Sequence, residues 1–586
     1  MNVKALAALV FLAARLAADA AAQTAWYVDC SATGTATGLS WTDAFTDLQP
    51  ALKVAAAGDQ VWVAKCVYTP SNNDAAASYV LPDGVALYGG FAGGETELGQ
   101  RDWIANETVL SGDIGHDDVV GSGQFWYVGW NRNTANSGHV IDASGVSPLA
   151  VVDGFTLANG ATGPDGTPAG HPLMYGGGIY CVGGSPTVRN CTFTHNLAAF
   201  AAGGAMYVTD GAPSIENCRF LENYVHLGDG GGLYFGGSGA PLVRDSEFSR
   251  NVAISSSNGG QGAGLAHRSS GALTIERCLF DQNLARPFYA VGGEAGRGAG
   301  LWSFLAPVTV TDCTFTRNQA TQGGGAFAFG PAAFTNCLFR DNKAVPHPND
   351  PYPELGGDGA GIALLSFQGA QTAIINCTIA HNAGKKYSGV SAWQSATLVV
   401  ENCVIWGNTA TSPEFIGFWE SQIAKAFNTI GYSCVQYIFG PPKLGEDPLE
   451  PEKRPGCIQT DPAFVGSGSY DLAAGSPCID AARNSTVPPG VALDLAGRPR
   501  FVDDPATADT GVGTPPIVDM GAYEHQASIP GDANGDGHVD QVDLGILLSA
   551  FGACAGDPQF NPAADFDGDE CIGQPDLGLL LANFGA

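Results

Sequence analysis

The chain has 586 residues, 81 of them glycine, and its 57 acidic and 26 basic residues give it a formal charge of −31. This charge argues against nucleic acids and anionic membrane surfaces as partners. A hydrophobic content of 45% argues against a disordered chain.

Residues 1–22 have the pattern of a secretory signal peptide. Lys4 gives the positive start, residues 5–14 form the apolar core, and three alanines at 20–22 suit a cleavage site. Arg15 interrupts the apolar run, and no later stretch reaches the ~20 apolar residues that a membrane-spanning helix needs. We therefore expect a protein that is secreted or lies at the cell surface, without a transmembrane anchor.

A short helix is predicted within about residues 42–58, with Asp47 as its N-cap and Gly58 after its end. We expect it to cover the open edge of the strand stack described next. A later loop is a candidate carbohydrate-binding surface, because aromatic faces stack on sugar rings. The alternative is that its aromatic residues pack against the stack; they are Phe125, Trp126, Tyr127 and Trp130.

A seven-residue phrase, first seen as Asn190-Cys191-Thr192-Phe193-Thr194-His195-Asn196, occurs eight times at intervals of 24 to 40 residues. Its closing asparagines are Asn196, Asn223, Asn251, Asn283, Asn318, Asn342, Asn382 and Asn408. Five positions earlier stand Cys191, Cys218, Ser246, Cys278, Cys313, Cys337, Cys377 and Cys403. Three positions earlier stand Phe193, Phe220, Phe248, Phe280, Phe315, Phe339, Ile379 and Ile405.

The alternation inside the phrase predicts a short strand, and glycine-rich corners such as Gly176-Gly177-Gly178 precede many copies. No single unit can bury its apolar face, so we predict a mainly β solenoid of stacked parallel coils. The cysteines and the Phe/Ile set would form inward columns. The asparagines would form a corner column in the left-handed backbone region, bonded amide to amide.

This pattern resembles the right-handed parallel β-helix of the pectin-lyase-like superfamily, over about residues 26–525. The resemblance implies polysaccharide lyase or glycosidase chemistry, yet no catalytic residue can be named from the sequence. The polygalacturonase-like signatures Asn-Thr-Asp, Gly-His-Gly and Arg-Ile-Lys are absent. His195 and His381 in the column before the asparagines lie six coils, or about 29 Å, apart. Asp229 and Asp358 fall in coils that are not neighbours, and Lys385-Lys386 has no acidic cluster near it in sequence.

Fifteen cysteines suit an exported protein. The seven in the column are expected to be buried and free. Among the others, proximity in sequence favours the pairs Cys30–Cys66, Cys434–Cys457 and Cys554–Cys571, although sequence alone does not fix the connectivity.

A closing segment at about 455–525 contains Gly475-Ser476-Pro477-Cys478-Ile479-Asp480 and Asp519-Met520-Gly521-Ala522-Tyr523-Glu524. Together with neighbouring motifs it resembles the last part of secreted β-helix proteins of the choice-of-anchor type. That resemblance implies that the segment seals the last coil and that a separate module follows.

Residues 527–586 contain two loops whose oxygen ligands have the spacing of an EF-hand calcium site. The first loop offers Asp532, Asn534, Asp536, the His538 carbonyl, Asp540 and Asp543. The second offers Asp565, Asp567, Asp569, the Cys571 carbonyl and Asp576. Each loop runs into a similar apolar helix, at 544–552 and 577–585.

The duplication resembles a type I dockerin, which implies two bound Ca²⁺ ions, a small α-helical module and a cohesin-like protein partner. The second loop departs from the pattern, with Glu570 at the turn position and Gly573 where a ligand is usual, so weaker binding is expected there. The recognition positions read Gln541-Val542 and Gln574-Pro575 instead of hydroxyl residues, which puts a standard cohesin partner in doubt.

Two functions remain open on this evidence. One is a non-catalytic surface, adhesion or carbohydrate-binding scaffold with a calcium-dependent dockerin-like module. The other is a polysaccharide lyase or glycoside hydrolase in polysaccharide catabolism, delivered by that module.

Overall fold

A computed structural model describes residues 24–116, 118, 136–162, 171–199, 202–255, 260–287, 296–346, 356–365, 371–393, 397–412, 422–423, 428–440, 454–466, 468–526, 530–534 and 538–585. The chain separates into two compact units, Met1–Thr460 and Asp461–Ala586, which are described here one at a time.

Four long sheets make up the first unit, and all their strand pairs are parallel. A regular coil visits them in a fixed order: Ile179–Val182 in sheet A, Thr187–Arg189 in sheet B, Thr192–Thr194 in sheet C and Leu197–Ala198 in sheet D. The next coil repeats the order one level along the stack. This is the solenoid that the repeated phrase predicts.

The strands of each sheet follow one another along the chain. Sheet A contains Tyr79–Val80, Ile141–Asp142, Ile179–Val182, Met206–Thr209, Leu233–Gly237, Leu265–Ser269, Leu301–Phe304, Ala326–Phe329, Ile362–Leu365 and Val390–Trp393. Sheet B contains Ala25–Val28, Gln60–Ala64, Ala86–Phe91, Val151–Asp153, Thr187–Arg189, Ser214–Glu216, Leu242–Arg244, Leu273–Glu276, Val308–Thr311, Ala332–Thr335, Gln371–Ile375, Thr397–Glu401 and Asn428–Gly431.

Sheet C contains Cys66–Tyr68, Thr108–Ser111, Thr156–Ala158, Thr192–Thr194, Arg219–Leu221, Glu247–Ser249, Leu279–Asp281, Thr314–Thr316, Leu338–Arg340, Thr378–Ala380, Val404–Trp406 and Cys434–Val435. Sheet D contains Ala161–Thr162, Leu197–Ala198, Tyr224–His226, Val252–Ser255, Leu284–Pro287, Gln319–Ala320, Lys343–Ala344, Ala383–Gly384 and Thr409–Ala410.

The register places the central residue of each phrase directly above its counterpart in the coil before. Phe193 pairs with Phe220, and Phe220 with Phe248. The rings stack almost parallel from Phe193 to Phe339, with centroids 4.5 to 4.8 Å apart. This column is fully buried and forms part of one continuous apolar core, as the phrase predicts.

The asparagines form the predicted ladder, and each amide bonds to its neighbours on both sides. The Asn283 side chain accepts from the backbone N–H and from Nδ2 of Asn251, both at 3.0 Å. Its own Nδ2 donates to Asn318 Oδ1 at 2.9 Å and to the Phe248 carbonyl at 2.7 Å. After Asn408 the glutamine Gln422 takes the next place, through Oε1 at 2.8 Å.

The expectation that the ladder asparagines lie in the left-handed region is wrong, because the residue before each of them makes that turn. His195, Glu222 and Arg250 have φ values of 55°, 56° and 55°, whereas the ladder asparagines are not among the residues with positive φ. A second left-handed residue, such as Asn190 with φ 53°, lies two positions before each sheet C strand of the repeated phrase. Two corners of this kind turn the chain into and out of that sheet.

The column cysteines are buried and free, as predicted. Each thiol also donates to the carbonyl two residues before it, as Cys191 does to Arg189 at 3.1 Å. Ser246 fits the same column because its hydroxyl makes the same bond, to Arg244 at 2.8 Å. The column is therefore selected for a small side chain that can donate one hydrogen bond.

Two of the three expected disulfides are present, Cys30–Cys66 and Cys554–Cys571. The third expectation, Cys434–Cys457, is wrong, because neither residue forms a disulfide. Cys434 pairs with Val404 in sheet C, and its Sγ donates to the Thr460 carbonyl at 3.2 Å.

Helix α1, Leu48–Val54, is shorter than the predicted 42–58. It begins directly after Asp47, whose side chain accepts the Gln49 N–H at 2.7 Å, and it buries Leu48, Ala51 and Leu52 against the first coil. A 3₁₀ turn follows at Leu98–Gln100 and another at Pro172–Met174. None of the described helices is long and apolar enough to span a membrane.

The second unit contains an antiparallel strand pair, Phe464–Gly466 and Ser469–Leu472, and 3₁₀ turns at Asn484–Thr486 and Pro562–Ala564. Helices α2, Gln541–Ala550, and α3, Gln574–Ala582, each begin three residues before the start read from the sequence. They share a small core with Val539, Leu547 and Leu580. The second unit therefore combines one strand pair with two helices, whereas parallel sheets make up most of the first unit.

Candidate functional site

An open cavity of about 420 Å³ lies on the outer side of sheet C. Three successive strands contribute Thr156, Thr192 and Arg219 to its lining, and Asn190 and Asn217 line it from the left-handed corner before the strands. The polar side chains there are hydroxyls, amides, a carboxylate and a guanidinium, which suit hydrogen bonding to a hydroxyl-rich ligand.

An aromatic and an aliphatic side chain also line this cavity. Trp103 is 36% exposed and Ile104 is 84% exposed. The Arg101 guanidinium lies 5.1 Å from the Trp103 ring and 5.0 Å from the Tyr88 ring, and it forms a buried ion pair with Asp153 at 2.7 Å. Asp153 also accepts from Asn190 at 2.8 Å. Both the tryptophan and the asparagine amide are therefore held in place by the same buried pair.

The column before the ladder is more connected than its mixed composition suggests. His195 Nε2 lies 3.0 Å from Glu222 Oε2, and Arg250 Nε donates to Glu222 Oε1 at 2.7 Å. Burial lowers the pKa of His195 more than Glu222 raises it. His381 is six coils further along the same ladder, so these groups do not form a site with it, as expected.

A second column runs along the corner that precedes the glycines. Strand bridges link Gln261, Arg297, Gln322, Asp358 and Lys386 in consecutive coils. Asp229 lies one coil before Gln261 and accepts its backbone N–H at 3.0 Å. The sequence expectation that Asp229 and Asp358 are not neighbours is confirmed.

Asp358 is the most unusual member of this corner column. It is 1% exposed, and neither of its carboxylate oxygens has a hydrogen-bond partner. Burial raises its pKa to about 7 against the opposing charges of Lys386 and Lys385. Because Lys386 is in the next coil, the stack gives Lys385-Lys386 the acidic neighbour that the sequence does not show. A buried carboxyl with such a pKa beside a lysine is the arrangement that proton-transfer sites use.

In the second loop of the C-terminal module, Asp565, Asp567 and Asp569 come together, with carboxylate oxygens within 4.8 Å of one another. Asp565 accepts the N–H groups of Gly568 and Glu570 at 3.0 Å each. Glu570 has φ 66°, so it makes the left-handed turn at the position where glycine is usual. Partial desolvation and the neighbouring carboxylates raise the pKa of Asp567.

Asp576 and Asp543 hold equivalent places at the starts of α3 and α2, and both are fully buried. Asp576 accepts the N–H groups of Phe566, Asp567 and Gly573 at 2.7, 3.2 and 2.7 Å. Asp543 does the same in the first loop with Ala533, Asn534 and Asp540. These bonds lower the pKa of Asp543 although burial opposes them. The residue at position 12 therefore ties each loop to its helix.

The first loop is described only in part. Asp532, Asn534, His538 and Asp540 are described, and Asp540 caps α2 by accepting the Val542 N–H at 2.7 Å. Asp536 lies outside the described residues, as do residues 1–22 and the aromatic loop with Phe125, Trp126, Tyr127 and Trp130. Cys571 lies in the second loop and is bonded to Cys554.

Comparison with known proteins agrees with this architecture. The model of a family described as the right-handed beta helix region matches residues 174–372. The described coils of the first unit form a parallel β-helix. No curated protein matches its sequence.

Two solved structures show a distant similarity to this β-helix protein. One is the crystal structure of pectate lyase Pel9A, with 12% identity over 86% of this chain and 96% of that chain, at a TM-score of 0.36. The other is a rhamnogalacturonan lyase, with 10% identity over 76% of this chain and 91% of that chain, at a TM-score of 0.28.

Proposed function

We propose that the protein is a secreted or cell-surface scaffold that binds a polysaccharide on the outer side of sheet C and uses a calcium-dependent, dockerin-like module at its C-terminus. The observation that carries the binding role is the cavity where Trp103 and Ile104 adjoin Thr156, Asn190 and Asn217. An aromatic face beside hydroxyl and amide groups on a rigid sheet suits a sugar chain.

The test of binding uses affinity electrophoresis of the full chain on gels with neutral and uronic-acid polysaccharides. Trp103→Ala should weaken retention about tenfold, which is the effect of losing one partly buried aromatic contact. Phe501→Ala, which removes another exposed aromatic side chain, is the matched control and should leave retention unchanged. Equal retention of wild type and Trp103→Ala on every polymer would contradict the proposed surface.

The module is proposed to hold Ca²⁺ in both loops. The second loop fits the ion because three carboxylates converge and Asp565 orders the turn; the proposed ligands are Asp565, Asp567, Asp569, the Cys571 carbonyl and Asp576. The first loop would use Asp532, Asn534, Asp536, the His538 carbonyl, Asp540 and Asp543. Bound calcium would neutralise these acids and fix the loops against α2 and α3.

Hydrogen exchange of the full chain checks this proposal. Chelation should speed amide exchange in 541–550 and 574–582 at least tenfold and leave the sheets of the first unit unchanged. Asp532→Ala with Asp536→Ala should make the first helix exchange quickly even when calcium is present. Exchange that is the same with and without a chelator would rule out calcium as the module's ligand.

A protein partner, cohesin-like in kind, is proposed for the module because its helices expose apolar side chains. Val542, Leu548 and Leu581 are 56%, 55% and 57% exposed, and Phe551 and Phe584 are 44% and 45% exposed. Apolar residues at this exposure in a small unit are typical of an interface. Pull-down with the full chain, with Leu548→Asp and Leu581→Asp as the disrupting variant, tests this role.

A second candidate function is a polysaccharide lyase or glycosidase, and Asp358 with Lys386 is the observation that favours it. A lyase needs a base near the uronate, and burial gives the carboxyl of Asp358 a pKa of about 7. Turnover of uronic-acid polymers, followed by the ultraviolet absorbance of unsaturated products, distinguishes the two functions. Turnover that is lost in Asp358→Asn would establish the enzyme. No turnover of any polymer, together with binding to one of them in the affinity gels, would favour the scaffold.

A further inference from the structure

The closing segment contains a loop, residues 503–511, that folds around one buried acid. The Thr510 and Gly511 N–H groups donate to the Asp480 carbonyl at 3.0 and 2.9 Å. The Asp504 N–H donates to Asp480 Oδ2 at 3.3 Å. Asp480 itself has φ 51°, which turns the chain toward this loop. The two ends of the loop thus meet at the same residue.

Three carboxylates converge where the loop closes. Asp480, Asp503 and Asp509 each place an oxygen within 4.8 Å of the other two. Asp503 and Asp509 are exposed, while Asp480 is 0% exposed and its Oδ1 has no hydrogen-bond partner. Burying a carboxylate oxygen that accepts no hydrogen bond destabilises the folded state, unless a ligand from solution binds to it.

The bases of this segment do not neutralise the three acids. Residues 461–526 hold nine acidic residues and three arginines. Arg498 pairs with Asp471 and Asp494, and Arg500 pairs with Glu524 in the interior. Within the described residues no ion pair joins Arg483, the third arginine, or any other base to Asp480, Asp503 or Asp509. The local charge therefore calls for a cation from solution.

The ligand chemistry indicates the class of ion. Carboxylate oxygens are hard donors, and three of them around one point suit Ca²⁺, which completes its shell with carbonyl oxygens and water. Burial, together with the charges of Asp503, Asp509 and Asp504, raises the pKa of Asp480 to about 6 although the Asp504 N–H opposes this. A bound cation would reverse this effect by favouring the charged carboxylate.

We infer that Asp480, Asp503 and Asp509 form a divalent-cation site, with Ca²⁺ as the ion, that fastens loop 503–511 to the closing segment. The site is separate from the two loops of the C-terminal module and does not depend on the proposed function. It would hold the closing segment folded without any contribution from the helices α2 and α3.

Equilibrium dialysis with calcium on the full chain tests the inference. The background protein carries five changes that remove the module's sites: Asp532→Asn, Asp536→Asn, Asp565→Asn, Asp567→Asn and Asp569→Asn. It is expected to bind one Ca²⁺ per chain at millimolar calcium. Adding Asp503→Asn and Asp509→Asn should lower the bound calcium at least tenfold, and Asp509→Asn alone should weaken the affinity at least tenfold.

The matched control adds Asp461→Asn and Asp471→Asn to the same background, which removes the same charge from the segment outside the cluster. It should keep the bound ion. Amide exchange in Phe464–Gly466 and Ser469–Leu472 reports whether each variant has folded. A background protein that binds no calcium, or a folded Asp503→Asn/Asp509→Asn variant that binds as much as the control, would overturn the site.

Discussion

The two units satisfy their buried polar groups in different ways. In the coils of the first unit, each ladder asparagine bonds to the asparagine at the equivalent position of the next coil. Each coil therefore supplies the hydrogen-bond partner of its neighbour. In the second unit, acids meet other acids at 480, 503 and 509 and at 565, 567 and 569. Stacked coils supply partners to one another, whereas acids that meet other acids need arginines or a cation.

The strongest way to break the first pattern is Asn283→Ala in the middle of the ladder. The change removes the acceptor of the Asn251 backbone N–H, one of the two acceptors of Asn251 Nδ2 and the side-chain donor to the Phe248 carbonyl. We expect the free energy of unfolding to fall by about 3–5 kcal/mol, measured by denaturant titration of the first unit. Arg219→Ala on the exposed side of sheet C is the control, and an equal loss there would show that the ladder has no special role.

Asp358→Asn tests a buried acid of the coils whose carboxylate accepts no hydrogen bond from the described residues. Its pKa of about 7 in the fold lies above the value of about 3.9 for an unfolded chain. The wild type therefore loses stability as pH rises from about 4 to about 7, and the amide variant does not. Between pH 4 and pH 8 the stability difference should move in favour of the variant by on the order of 3 kcal/mol. A difference that does not change with pH would show that Asp358 has a partner in solution.

Removing the Cys554–Cys571 disulfide tests how the second unit is stabilised. The bond closes a loop over a sequence separation of 17 residues in a unit with a small apolar core. Cys554→Ser with Cys571→Ser should lower the stability of α2 and α3 by roughly 2–4 kcal/mol and leave the sheets unchanged. Amide exchange resolves the two units, and slower exchange of the helices in the variant would contradict the expectation.

Glu222→Gln is expected to have the smallest effect. Its carboxylate joins His195 and Arg250 one residue before the ladder, with the same period as the asparagines. The partners are partly exposed, so the free energy of unfolding should change by less than about 1 kcal/mol. The same denaturant titration compares it with Asn283→Ala, and a loss as large as at Asn283 would remove the distinction between the two columns.

Much of the first unit follows from its sequence, because alternation sets the strand and a fixed spacing sets the column. The stacked rings from Phe193 to Phe339, the ladder and the buried thiols all come from that one phrase. The sequence also indicates Asp47 as the cap of α1, although it overestimates the length of the helix. The predicted pair Cys434–Cys457 rested only on proximity in sequence. In the structure Ser433 occupies the position of the thiol column in this coil, and Cys434 lies one residue after it.

The contact of Asp358 with Lys386 was missed for a different reason. The coil of Lys386 has Tyr387-Ser388-Gly389 where others have a glycine-rich corner, so its alignment with Asp358-Gly359 is not evident. The acidic cluster at Asp480 has no repeat to align, and it depends on contacts between residues about 24 positions apart in the sequence. Trp103 and Arg219 line the same cavity, and this could not be predicted because only the stacking of coils brings these distant parts of the sequence together.

The unequal spacing of the repeated phrase, 24 to 40 residues, has a consequence for how such a chain changes over generations. The columns keep their register across the shortest and the longest intervals, because the extra residues lie in the connections. A duplication or loss of one coil would recreate the same joint between its neighbours. Whole coils can therefore be gained or lost, and the loops between strands can change in sequence one at a time, while the packing of the buried columns stays the same.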